Sequence, residues 1–147
     1  MNDGESLSAT LAQPARAGAY YLPAEEDDGV ARLAEQLGLV SARIDLEGCA
    51  DKAEFLRRVA LGLRFPAWFG HNWDALSDCL SDLSWMPGKG YVLIFEHADR
   101  FRMAAEGEFV TALDIFEDAA RGWAEENVPM WIFVNLARAE TSLLRRL

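Results

Sequence analysis

The chain is poor in the groups that metal centres, disulfide frameworks and general acid–base catalysis draw on. Among 147 residues there are two cysteines and two histidines. Cys49 and Cys79 stand alone, without metal-ligand spacing and without a basic or histidine neighbour. That pattern excludes a disulfide scaffold, gives neither thiol the setting of an activated nucleophile, and points to a reducing, cytoplasmic location. Basic residues are scarce too: 14 Lys and Arg against 24 Asp and Glu, a formal net charge of −10. Nucleic acids and anionic membranes need a basic footprint, so neither is expected as a direct partner. The balance favours a basic partner, or solubility alone. No apolar run approaches the about 18 residues of a bilayer span. Residues 1–18 carry Asp3 and Glu5 early and lack an apolar stretch, so 1–17 read as a flexible leader rather than a secretory signal. No glycine-rich phosphate loop opens a helix, since Gly88-Lys89-Gly90 precedes a strand, and no Gly-x-Ser-x-Gly elbow exists. No cofactor is expected.

What is present is a core. Hydrophobic residues make up 51% of the chain, enough for one domain, placed at residues 18–136. Residues 19–22 read as a short edge strand stopped by Pro23, and 25–37 as a helix ending at Gly38; together 18–40 form an N-terminal extension. Residues 41–46 alternate, with Ala42, Ile44 and Leu46 on one side, as in a strand with one buried face. Asp51 with Glu54 starts a helix that stops before Pro66. Residues 91–95 and 130–136 are continuous apolar runs suited to strands covered on both faces, with a short helical turn at 97–103 and the longest helix at 108–126 between them. Strands joined by helices imply a parallel sheet. The expected fold is α/β: a small parallel sheet of three core strands, with one extra N-terminal edge strand, packed with helices. Residues 137–147 read as a frayed tail packing loosely through Leu143, Leu144 and Leu147.

The most informative stretch is 66–83. Asp74, Asp78 and Asp82 recur every four residues, close to the 3.6 of one helical turn, so they share a face. Trp73, Leu76, Leu80 and Leu83 centre on the opposite face. Asn72 reads as the N-cap. Like charges at this spacing repel by a few tenths of a kcal/mol per pair, and Asp82 stands at the end the helix dipole disfavours. A local rule broken without local compensation points to a functional surface; the plain alternative is a solvated face on an acidic protein. Ahead of the helix, Gly70 permits a tight turn with positive φ that aims Trp68 and Phe69 outward, one capping the core and the other exposed. Aromatics beside a charged helix suit an interface anchor. A hydrolytic metal site from His71, Asp74, Asp78 and His97 can be drawn on paper, but its spacing matches no metal motif, and no metal is expected.

The run Trp68-Phe69-Gly70-x-Asn72-x-Asp74-Ala75-Leu76-x-Asp78-Cys79-Leu80 resembles the barstar family, intracellular inhibitors of the ribonuclease barnase, and the likeness extends over about residues 41–136. Barnase with barstar is itself the reference case for electrostatic interfaces. The resemblance implies a non-catalytic, cytoplasmic protein that lays an acidic helix and its aromatic turn into a ribonuclease active site. It matches Asp78 to the aspartate entering the phosphate pocket, Asp74 to a second acidic contact, and Trp68 and Phe69 to a pair of tyrosines. Gly70, Asn72 and Ala75 are retained, and Asp118 falls where the family has an interface glutamate. Four positions depart: Ser77 replaces a tryptophan, Trp73 a leucine, Asp82 a glycine, and Gly122 aligns with a lost glutamate. The resemblance thus implies a basic ribonuclease as partner, bound by Trp68, Phe69, Gly70, Asn72, Trp73, Asp74, Ala75, Asp78, Asp82 and Asp118. A regulatory binding module for a different basic partner is the rival.

Overall fold

A computed structural model of the chain describes residues 3–137 and 144–147. Its centre is a parallel sheet in the order β2-β3-β4-β1-β5, with β1 at Ala19–Tyr21, β2 at Val40–Asp45, β3 at Tyr91–Glu96, β4 at Met130–Val134 and β5 at Arg145–Arg146. Every pairing is parallel. The α/β class holds, but the sheet has five strands where three and an extra edge strand were expected. The first strand is not an edge: β1 lies between β4 and β5. Tail residues cover it, with Leu144 buried and the guanidiniums of Arg145 and Arg146 over the rings of Tyr20 and Tyr21. Leu143 lies outside the described residues.

The apolar runs of β3 and β4 are buried on both sides because each face has its own helical layer. Leu93, Phe95, Ile132 and Val134 meet α3 (Lys52–Gly62), α4 (Trp73–Asp82), α5 (Asp99–Ala104) and α6 (Glu106–Glu125). Val92, Ile94, Trp131 and Phe133 point the other way, onto Val30 and Ala34 of α2 (Asp27–Gln36) and onto Leu11. This second face corrects the reading of the first 17 residues as a flexible leader. Asp3–Leu11 forms α1, Leu11 is fully buried, and Trp131 Nε1 donates to the Leu11 carbonyl at 2.9 Å. A buried indole N–H needs an acceptor, and the N-terminal segment supplies it.

Among the described residues no helix is long and apolar enough to cross a membrane.

Candidate functional site

The acidic helix forms as its sequence dictates. Asn72 takes an extended backbone conformation and its Oδ1 accepts the Ala75 amide at 2.7 Å, closing the first turn of α4. Leu76, Cys79 and Leu80 are buried, and the Trp123 Nε1 of α6 donates to the Leu80 carbonyl at 2.7 Å. Leu83 ends the helix in a left-handed conformation, at φ 48°, with its side chain in the core. Capped, packed and bonded across to α6, α4 is a rigid support.

Its outer face is as the spacing predicts. Asp74, Asp78 and Asp82 are all exposed. Asp74 and Asp78 have no ion pair or side-chain hydrogen bond among the described residues, and Asp82 accepts only the Ser84 amide, at 3.3 Å. Beneath them, burial pushes the Cys79 thiol up, and the charges of Asp78 and Asp82 push the same way, so this sulfur is a packing atom. Asp118 differs. It ion-pairs with Arg121 one turn along α6, both side chains being exposed.

The preceding turn divides its two aromatics. Trp68 is 63% exposed and Phe69 only 5%, the latter packed edge-on against Phe65 at 4.9 Å. The Phe69 ring thus lies in the core and the Trp68 ring at the surface. Trp68 instead stands edge-on against Trp85, whose Nε1 donates to the Leu63 carbonyl at 2.9 Å. Trp85 is the residue that sequence reasoning missed; a tryptophan inside the helix-ending turn Trp85-Met86-Pro87-Gly88 was the available signal. The left-handed residue in this turn is His71, at φ 53°, and not Gly70. Gly70 serves by its size, since a Cβ there would lie 3.3 Å from Nδ2 of Asn72, the residue whose Oδ1 caps α4. Trp73 is half-buried against Phe55, with Lys52 Nζ 5.0 Å above its ring. Ala75 is half-buried on the helix flank.

The paper metal site does not assemble. Among the described residues a single set of three potential ligands converges, Asp45, Glu47 and His97, all exposed, and it contains none of His71, Asp74 or Asp78. His97 Nδ1 lies 2.8 Å from Asp45 Oδ1, an arrangement already complete as an ion pair.

Residues 39–135 match the family model described as Barstar (barnase inhibitor), well over half of the chain. The chain belongs to the barstar family. No curated protein matches the sequence. The matched span of this barstar-family member begins just before β2 and ends just after β4, so it contains α3 to α6 and the acidic helix but neither β1 nor α2.

Proposed function

We propose that this barstar-family chain is a stoichiometric inhibitor of a cognate basic ribonuclease. The observation that carries the reading is the state of Asp74 and Asp78: two exposed carboxylates on a capped, packed helix, with no cation paired to them among the described residues. Ribonucleases hold RNA phosphates with arginines and lysines, and a fixed row of carboxylates can occupy those positions through charge-assisted hydrogen bonds. Little ordering is required of α4 on binding, which keeps the entropic cost low.

Within this reading Asp78 is the central anchor, Asp74 flanks it, and Asp82 extends the charged row beyond the family pattern. Trp68 packs at the rim from its seat on Trp85. Phe69, Gly70, Asn72 and Ala75 shape the turn and the helix start, and Trp73 flanks the acidic face with its half-buried ring. Asp118 contributes least, because Arg121 competes for it. Opposed charges also speed the encounter, an effect that salt weakens.

The test is capture of the partner from host lysate on the immobilised protein, followed by an RNA-cleavage assay of what is eluted. Expected is a basic ribonuclease whose activity falls linearly to zero at one equivalent of this chain. A captured basic protein without RNA-cleaving activity would instead establish the binding-module reading. Activity that survives excess inhibitor would refute the proposal.

A further inference from the structure

Glycine inside a helix is costly, because it has the most backbone freedom to lose on folding and leaves the helix backbone open to water. Gly122 stands in the last turn of α6, and none of the usual reasons for a glycine applies there. Its φ is not positive. A Cβ at this position would meet nothing within 4 Å among the described residues, so no neighbour in the chain requires the space. Nor does Gly122 end the helix. Asn127 does so, left-handed at φ 66°, its amide donating to the Ala124 carbonyl at 3.0 Å and the Val128 amide to the Trp123 carbonyl at 2.9 Å. Gly29 and Gly107 are equally open, but they lie in the first turns of α2 and α6, where backbone amides have no intrahelical acceptor to lose.

The position lies beside the acidic helix. α6 packs against both β1 and α4. Glu117 marks the β1 flank, its Oε1 accepting the Ala19 amide at 2.8 Å. At roughly 100° per residue, Gly122 falls beside Ile115, on the far side of the buried stripe of Phe116, Ala119 and Ala120. That is the flank turned to α4, and the next residue, Trp123, makes the bond to the Leu80 carbonyl of α4. A helical side chain covers the turn N-terminal to its own Cα, so the turn beginning at Asp118 is bare where Gly122 should cover it. Gly122 is itself exposed, and the bared backbone adjoins the seam between the two helices.

A local preference broken without an internal reason points outward. Glycine is the residue that lets another surface come close to the backbone. We infer that Gly122 is a specificity-determining position: the ribonuclease packs part of its own surface directly onto the bared turn of α6, beside the carboxylates of α4. This rests on the reading of α4 as the ribonuclease-binding helix, and it extends the contact along α6 past Asp118. A larger side chain at 122 holds the two surfaces apart, so the chain gives up helix stability at this point to admit its partner.

Gly122→Ala and Gly122→Leu add volume without charge, and both new residues form helices better than glycine. The ribonuclease captured from host lysate is titrated with the parent and with each variant in the RNA-cleavage assay, and every chain is melted alone. Gly29→Ala, on α2 over the opposite face of the sheet, is the control. Gly122→Ala should melt about 2 to 4 °C above the parent. Its inhibition constant should nevertheless rise about fivefold, and that of Gly122→Leu fiftyfold or more, the range expected when extra volume enters a close-packed contact. Gly29→Ala should inhibit as the parent does. Parental inhibition by both Gly122 variants overturns the inference and leaves the reading of α4 standing. A lowered melting temperature in Gly122→Ala overturns it too, because the glycine then serves the fold. A parent chain that leaves the captured activity intact overturns both.

Discussion

Asp118 and Arg121 sit one turn apart on α6 and pair with each other, whereas across the helix interface Asp78 faces solvent with no paired cation among the described residues. The same residue type is therefore unequal as a binding group at these two positions. Only an unpaired carboxylate can give its full charge to a partner without first breaking an internal contact. Asp78→Ala should cost at least about 2 kcal/mol of binding to the ribonuclease. Thermal stability should stay level or rise by a few tenths of a kcal/mol, because repulsion from Asp74 and Asp82 is relieved. Asp118→Ala should cost well under half as much binding. Calorimetric titration of both variants against the captured partner decides the order; equal losses would contradict it.

Trp68 depends on Trp85 for its position. Replacing the exposed Trp68 by Ala should weaken partner binding and leave the melting temperature nearly unchanged, as surface substitutions do. Trp85→Phe keeps a ring but removes the hydrogen bond to the Leu63 carbonyl. It should destabilise the fold by about 1 kcal/mol and also weaken binding. Denaturant melts beside affinity measurements separate the two; an intact affinity in Trp85→Phe would show that Trp68 needs no such seat.

Asn72 connects turn and helix. Asn72→Ala leaves the Ala75 amide without its acceptor and should cost about 1 kcal/mol of stability, while Asn72→Asp should recover most of it. Hydrogen exchange at the first turn of α4 should quicken in the alanine variant alone. Unchanged exchange there would mean that packing against α6 holds the turn.

His97 and Asp45 make stability depend on pH. Asp45 holds the His97 imidazolium above the ordinary 6.5, and His97 in turn holds the Asp45 carboxyl below the ordinary 3.8, with the Glu47 amide assisting. The histidine contribution is complete below pH 6.5 and is lost as pH rises through the higher folded value. The aspartate contribution is present above pH 3.8 and is lost as pH falls through the lower folded value. The difference in stability between the parent and Asp45→Asn should be largest between these ordinary values and should shrink above neutrality. Both groups are more than half exposed, so the difference is small. NMR titration of His97 should give a lower pKa in Asp45→Asn than in the parent; an unchanged value would discard the pair.

Much of the acidic helix is legible because its determinants are local. Asn72 and Ala75 are three residues apart, as a cap requires, and the periodicity of Leu76 and Leu80 with Asp74 and Asp78 needs nothing from elsewhere. The strands at 91–95 and 130–136 announce themselves as apolar runs too long to leave uncovered. What covers them is harder to read. Leu11 becomes a core residue, with Leu7 partly buried beside it, because Trp131 and Phe133 present a second apolar face, a relationship spanning most of the chain. The pairing of β5 with β1 has the same character: two arginines signal no strand until Tyr20 and Tyr21 lie beside them. In the turn, the left-handed residue is His71 and not Gly70, and sequence spacing does not encode that choice. The pairing of Asp118 with Arg121 is legible at three-residue spacing on one helix.

Trp131 and Leu11 are joined across 120 residues of chain. Such long-range closure adds only a logarithmic penalty to the equilibrium, yet it slows assembly, because nothing rewards the N-terminal segment until β4 exists to receive it. The Leu11 carbonyl can therefore receive the Trp131 indole only once β4 has been made. The bond that braces the carboxylate row, from the Trp123 indole to the Leu80 carbonyl, closes a loop of only 43 residues.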